Sequence, residues 1–354
     1  MRAILDEAVV APGQSFDEVN DQLYTLGLTD GLPVVPPTMA RIEAMLGGRD
    51  PAQVVATLAP LSGQASVYRI AICAVMAGCL PEYLPVLIAA VEAVAEEEFN
   101  LLGIQTTTGT AAPVVIVNGP IAKRLGINAA TNALGPGVRA NATIGRALAL
   151  VLRDVGGAIP GELDMATMGQ PGKYTFCFAE SEQANPWGPL HVSRGFDREQ
   201  STVTVLAAAG TVEVRDDCSA GAESLLTTFA HSMLGAGSVS GSGLLSGGEP
   251  LLLFSPDHAR TIAREKTREA AQSFLFEAAR LPVSVLPHET QAHLRQRQTI
   301  KPDGEIYEVL RVAARAADIM LVVVGGTGFK STYIPTWGGG TRAITKSIET
   351  REAT

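Results

Sequence analysis

Apolar side chains at Phe16, Val19, Leu23 and Leu26 recur at helical spacing behind Ser15, which predicts a capped helix over 15–27. The pattern stops at Thr29-Asp30-Gly31-Leu32-Pro33. Gly31 can adopt a left-handed conformation there, and Pro33, Pro36 and Pro37 forbid a continuing helix. Thr38 is placed to cap a second short helix, and Asp50-Pro51 to start a third. Two longer helices follow over roughly 66–78 and 81–97, parted by Gly78-Cys79-Leu80-Pro81 and apolar on most faces. The pattern then changes period. Ile104–Thr108 and Pro113–Asn118 read as strands, the second a Val-Val-Ile-Val run suited to a buried position.

A long helix is expected over 139–154, ending at Gly156-Gly157, with further strands at Tyr174–Ala179 and Thr202–Ala207. The second half repeats the alternation. It predicts helix 220–234, strand 250–254, helices 256–265 and 267–280, helix 305–316 and strand 319–324. Alternating strands and helices imply an α/β fold with mostly parallel sheets flanked by helices, in two α/β parts. The glycine- and serine-rich stretch from Gly235 to Gly243 is the natural linker. It divides the chain into an N-terminal α/β domain, 1–243, and a C-terminal α/β part, 244–354, that completes the pocket.

Composition narrows the function classes. Of 354 residues, 27 are Lys or Arg against 36 Asp or Glu, a formal net charge of −9, which argues against a nucleic-acid footprint. The longest apolar run, Tyr83 to Ala95, breaks at Glu92 and is too short to span a bilayer. Asp6 and Glu7 interrupt the first apolar stretch, so a secretory signal is not expected and the cytoplasm is the expected location. Cys73, Cys79, Cys177 and Cys218 include no C-x-x-C pair, which disfavours a zinc ribbon or a thioredoxin-type motif. The Ala-rich helices at 66–97 suggest a homo-oligomer.

The densest local signal is Gly135-Pro136-Gly137-Val138-Arg139-Ala140-Asn141-Ala142-Thr143-Ile144-Gly145-Arg146. Glycines just before a long helix leave backbone N–H groups at the positive end of the helix dipole, and Arg139 and Arg146 add charge, as an anion site requires. The dinucleotide spacing fails, because Asn141 and Ala142 stand where the third glycine should fall. A tight turn packed on a sheet would produce the same pattern. A second glycine loop, Gly325 to Ser331, fails as a phosphate loop, since Phe329 rather than glycine precedes Lys330. It can still shape a pocket at a strand's end.

Reactive side chains gather at Lys173–Glu182, then Trp187 and His191. Cys177 near a strand end, with Glu180 and His191 close in sequence, has the makings of an activated nucleophile. A small buried thiol is the competing reading. For the pair to cooperate, the strand must end or bulge near Ala179, because regular alternation puts Cys177 and Glu180 on opposite faces. Cys79, beside Pro81-Glu82-Tyr83, has a separate claim at a helix N-terminus. Cys177, Glu180 and His191 also carry metal-ligating atoms, but no metal-binding spacing is present. Thr107 and Asn118, taken as strand ends, would add a hydroxyl and an amide on one rim with the Gly135 loop.

Several of these segments resemble a bacterial family: Thr29-Asp-Gly-Leu-Pro-Val-Val-Pro-Pro-Thr38, Ala74–Cys79 with Pro81-Glu-Tyr83, Gly135-Pro-Gly137 with Arg139–Arg146, and Lys173-Tyr174 with Phe176-Cys177 and Ala179-Glu180, then Trp187 and His191. Across most of its length the chain is similar to proteins bearing a UGSC-type domain, akin to the selenoprotein B components of glycine, betaine, sarcosine and D-proline reductases. It lacks a Cys-Gly-Ser-Cys element, so reductase activity does not carry over. The resemblance implies one candidate site made of Cys79, Glu82, Arg139, Asn141, Arg146, Cys177, Glu180 and His191; it supplies no reaction and leaves any cofactor unknown. Three functions remain open. One is a cysteine-dependent enzyme (hydrolase, lyase or group transfer) acting on a small polar or anionic metabolite. Another is a metal-dependent enzyme using Cys177, Glu180 and His191. The third is a non-catalytic subunit or binding protein for a separately encoded redox partner.

Overall fold

The computed structural model describes residues 5–11, 13–235, 248–296 and 309–349. The linker segment from 236 to 243, and with it the expected boundary at 243/244, lies outside them.

Along the chain run α1 (Phe16–Thr25), α2 (Met39–Leu46), β1 (Val54–Leu58), β2 (Gly63–Ser66), α3 (Val67–Ala77), α4 (Leu84–Val94), α5 (Leu101–Thr106) and β3 (Ala112–Asn118). Next come α6 (Pro120–Arg124), α7 (Arg139–Leu150), β4 (Cys177–Ala179), α8 (Leu190–Ser193), β5 (Thr202–Ala208) and β6 (Val212–Arg215). The remainder is α9 (Ala222–Ser232), β7 (Leu251–Phe254), α10 (Pro256–Ala263), α11 (Arg268–Ala278), β8 (Arg280–Pro282), α12 (His288–Gln296), β9 (Val309–Arg311), β10 (Met320–Val323), β11 (Lys330–Ile334) and β12 (Ile344–Ser347).

The chain forms two interleaved compact units. One takes Met1–Glu180, His191–Ala207 and Ala343–Thr354; the other takes Ser181–Leu190 and Ala208–Arg342. The first unit holds a sheet of order β12-β5-β3-β4 and the hairpin β1-β2; the second holds a sheet of order β10-β7-β11-β6 and the pair β8-β9. The fold is therefore α/β, but its sheets are mixed. β3–β4 and β7–β10 are parallel. β1–β2, β5–β12, β6–β11, β7–β11 and β8–β9 are antiparallel. Mostly parallel sheets are thus realised only in part. The reason is visible after β10, where the connection to β11 is too short for the crossover that a parallel partner needs, so β11 returns antiparallel to β7.

Other differences are local. Ile104–Thr108 is not a strand: Asn100, itself left-handed, caps α5 by accepting from the Gly103 N–H at 3.2 Å, and Leu101 and Ile104 bury one helical face. Thr107 ends α5, where its hydroxyl accepts from the Gly109 N–H at 3.0 Å, so it does not share a strand-end rim with Asn118. Asp50-Pro51 opens a turn instead of a helix. The Asp50 carboxylate accepts from the Ala52 N–H at 2.9 Å, and the β-branched Val54-Val55 continues into β1. β4 is confined to Cys177–Ala179, with a 3-10 turn at Pro171–Lys173, so strand alternation does not apply to Lys173–Thr175. Of the helix expected at 305–316, residues 305–308 lie outside the described residues, and Val309–Arg311 is strand.

Each unit has its own aliphatic core. In the first, α3 and α4 bury almost every apolar side chain, including Ile70 to Met76 and Leu84 to Val94 except Pro85 and Ile88. The faces that suggested an oligomer are thus already covered by the chain itself. In the second, Leu252, Phe254, Leu321 and Val323 pack with Phe229, Ile262 and Leu275 from the helices. Among the described residues, no helix is long and apolar enough to cross a membrane.

Candidate functional site

The start of α7 collects more of the singled-out residues than any other part of the first unit. The turn before it is shaped by Asn132 at φ +60°, whose side-chain amide donates to the Pro136 carbonyl at 2.7 Å. Gly135 has no room for a side chain, because an added Cβ would fall 2.1 Å from the Asn132 Oδ1. Gly137 sits at φ +124° with open space around it. Asn141 is buried and works inward. Its Oδ1 accepts from the Asn128 N–H at 2.8 Å, and its Nδ2 donates to the carbonyls of Asn128 and Ala133 at 3.0 and 3.2 Å. It pins the 128–133 loop beneath the turn and is spent on backbone.

α7 begins without a side-chain cap. Val138 occupies the N-cap position in an extended conformation and offers no acceptor, while Ala142 is the first residue to bond back, to the Val138 carbonyl at 3.1 Å. The N–H groups of Arg139, Ala140 and Asn141 therefore have no acceptor within the helix, at the end where the dipole is positive. Arg139 is exposed, and its Nε donates to the Gly78 carbonyl at 2.9 Å. Gly78 is the left-handed C-cap of α3, so this bond ties the end of α3 to the start of α7.

Cys79 follows directly. Its thiol donates to the Thr143 carbonyl at 3.3 Å, one turn into α7. Burial pushes this thiol up to about 12, against lowering influences from Thr143, Arg139 and Arg146. The Tyr83 hydroxyl is likewise raised, first by burial, then by Glu82 and Cys79, with Arg139 pulling the other way. Arg139 thus acts on both Cys79 and Tyr83 at one helix end.

Arg146 has a different role from Arg139. Its guanidinium grips Asp30 with two bonds of 2.8 Å and also donates to the carbonyls of Leu32 and Pro33 at 3.2 and 3.0 Å. Both side chains are mostly buried, at 14% and 12% exposure. This fork fastens the Thr29–Pro37 segment to α7. Asp30 is the residue that sequence reasoning missed: it stands inside a quoted motif, but nothing local shows that its partner lies 116 residues away.

Cys177 pairs in register with Val115 in the parallel β3–β4 ladder and is buried. Burial, and then Cys79, push its thiol well above the ordinary range, and no charged side chain pulls it down. The strand does end at Ala179, and Glu180 turns inward, where its Oε2 accepts from the Asn118 side-chain amide at 2.7 Å, close to the carboxyl ends of β3 and β4. His191 is fully buried, with Nε2 3.2 Å from the Arg198 carbonyl, so that nitrogen carries the proton in this bond. Cys177 thus sits in the β3–β4 ladder, Glu180 holds the Asn118 amide and His191 holds the Arg198 carbonyl. Among the described residues, no group of three or more His, Cys, Asp or Glu side chains is arranged to hold a metal ion.

This is an α/β protein in which the Gly135 turn, Arg139 and Cys79 lie together at one helix start. No family model matches the chain, and no curated protein is similar enough to be matched with it.

Proposed function

We propose that the chain is an enzyme acting on a small polar or anionic metabolite at the start of α7. The carrying observation is the conjunction at that point of three acceptor-free N–H groups, the exposed Arg139 guanidinium, and the Cys79 thiol with Tyr83 beside it. Arg139 and the helix end receive the negative charge, and both Arg139 and Arg146 act on the Cys79 thiol to lower it. Two quoted motif segments, Thr29–Thr38 and Gly135–Arg146, meet through the Asp30–Arg146 fork, which supports treating them as parts of one site. Hydrolysis, lyase-type cleavage and group transfer are the reaction classes that a thiol there can serve. Four unpaired cysteines suit a reducing compartment, and we place the protein in the cytoplasm.

The raised thiols favour a second reading. At neutral pH both Cys79 and Cys177 keep their protons in the free protein, as suits a binding subunit that serves a separately encoded redox partner. Iodoacetamide labelling across pH 7–10, with and without phosphate, separates the two. The enzyme reading expects Cys79 to label faster once the anion is bound. Slow labelling of Cys79 in both conditions leaves the binding-protein reading standing.

A further inference from the structure

The second glycine loop carries a site of its own, in the other unit. β7 and β10 are parallel neighbours, and their carboxyl ends lead into the first turn of α10 and into the loop at 324–329. Open α/β sheets bind ligands at such ends, because the loops there diverge and leave a crevice. Here the crevice is real: a cleft of about 420 Å³ runs between α10 and the loop, lined by Arg260, Thr261 and Arg264 on one side and Thr327, Gly328 and Phe329 on the other.

The loop is held firmly. The Gly328 N–H donates to the Asp257 carboxylate at 2.7 Å, and its carbonyl accepts from the Ser255 hydroxyl at 2.7 Å. The Phe329 carbonyl accepts from the Asp216 N–H at 3.1 Å. With its backbone fixed at these points, the loop presents Thr327 and the 59%-exposed Phe329 ring outward instead of folding them in. Gly325 and Gly328 sit at φ +101° and +138° with open space around them, so no other residue type would hold this path without strain.

Charge in the cleft is unbalanced. Asp257 is occupied by the Gly328 N–H and by Arg260 at 2.9 Å. Arg264, one turn further along the same face of α10, is exposed and has no carboxylate partner among the described residues. A guanidinium fork without a partner, two threonine hydroxyls and an exposed ring are the elements that take a phosphate on one side and a flat ring on the other.

We infer that this cleft binds a phosphate monoester carrying a planar ring, of the size of a nucleoside monophosphate. Arg264 holds the phosphate, with Thr261 and Thr327 as hydrogen-bonding neighbours, and Phe329 stacks on the ring. A cleft of this volume lies within the range that holds such molecules.

The test is calorimetric titration of the full chain with adenosine 5′-monophosphate, ribose 5-phosphate and adenosine, each up to about 10 mM. Saturable binding of the nucleotide is expected. Arg264→Gln should weaken it about tenfold or more, and Phe329→Ala should weaken the nucleotide but not ribose 5-phosphate. Nucleotide binding that is lost with Arg139→Ala but survives Arg264→Gln belongs to the α7 start and overturns this assignment, so failure here is distinguishable from failure of the α7 reading. No saturable binding of the nucleotide, or binding that survives Arg264→Gln undiminished, overturns the assignment. Adenosine binding as tightly as the nucleotide overturns it too, because the guanidinium would then be idle.

Discussion

The starts of α7 and α10, each behind a turn that carries glycine or serine, are built in opposite ways. At α10, Ser255 accepts from the His258 N–H at 3.3 Å and donates to the Gly328 carbonyl, while its own N–H donates to Ser331 at 2.9 Å. The Ser331 hydroxyl donates in turn to His258 Nδ1 at 2.8 Å, and His258 Nε2 donates to the Asp216 carbonyl at 2.9 Å. Every donor and acceptor in that chain has a partner, and the helix end is closed. At α7 the N-cap is Val138, which makes no side-chain cap hydrogen bond to the first turn. One apolar residue in place of a Ser, Thr, Asp or Asn separates an end capped by a side chain from one that is not.

The two arginines of α7 repeat the lesson within one element. Arg146 is mostly buried and gives two nitrogens to Asp30 and two carbonyls, whereas Arg139 is exposed and gives one nitrogen to Gly78. Positive charge near a helix start is therefore not itself a sign of binding. What matters is how much of the guanidinium the fold has already claimed.

Breaking the closed partner should cost most. Arg146→Ala leaves a mostly buried Asp30 carboxylate without its fork, and an expected loss of about 3 kcal/mol should show as a lower denaturation midpoint. If the variant is as stable as the parent, the fork is not what holds the Thr29–Pro37 segment. Acid should then reveal the closed end of α10. Burial by itself raises the Asp216 carboxyl, but hydrogen bonds from Thr228, from the Ser219 N–H and hydroxyl, and from the Cys218 N–H bring it down to about 2. A depressed folded-state value means that this stabilisation is present above the unfolded value of 3.8 and fades as pH falls toward about 2. Stability measured over pH 5 to 2 should fall by about 1 kcal/mol on this account, solvent screening reducing the full effect of the shift, and Asp216→Asn should remove that part of the fall.

Smaller effects sharpen the contrast between the two helix starts. Ser255→Ala removes a cap and should cost about 1 kcal/mol. Val138→Asp does the reverse at α7. It supplies the missing cap, gains about 0.5–1 kcal/mol, and should abolish stabilisation of the protein by phosphate in a thermal shift assay, because a carboxylate then occupies the helix end. Stability gained with phosphate binding intact would show that the anion sits elsewhere. Smallest is Arg139→Ala, which should change stability by no more than about 0.5 kcal/mol while weakening phosphate about tenfold. Equal damage to both would make Arg139 a structural residue like Arg146.

Local chemistry made much of this fold legible. Ser15 closes a capping box with Glu18, and Ser255 caps α10. The apolar runs at Val67–Ala77, Leu84–Val94, Ala112–Asn118 and Thr202–Ala208 become buried elements. Each depends on residues a few positions apart, so period and capping suffice to read it. Legibility failed where two local signals competed. Ile104–Thr108 has strand-like residues, yet Asn100 offers a cap just upstream and helix prevails; Asp50-Pro51 looks like a helix start, yet the asparate-led turn and Val54-Val55 take the chain into a hairpin.

The sequence by itself determined that this is an α/β protein, that its cores are aliphatic, and that the turn at 135–138 precedes a long helix. Those features follow from composition and from contacts between near neighbours. Tertiary structure alone decided the chemistry of the candidate site. It sent Arg146 to Asp30 across 116 residues and left Arg139 exposed; it set the Cys79 thiol against the Thr143 carbonyl and buried it. It also set Glu180 against the Asn118 amide and His191 against the Arg198 carbonyl. The physical reason is that burial and partner choice fix protonation and free donors, and both are set by which distant segments pack together.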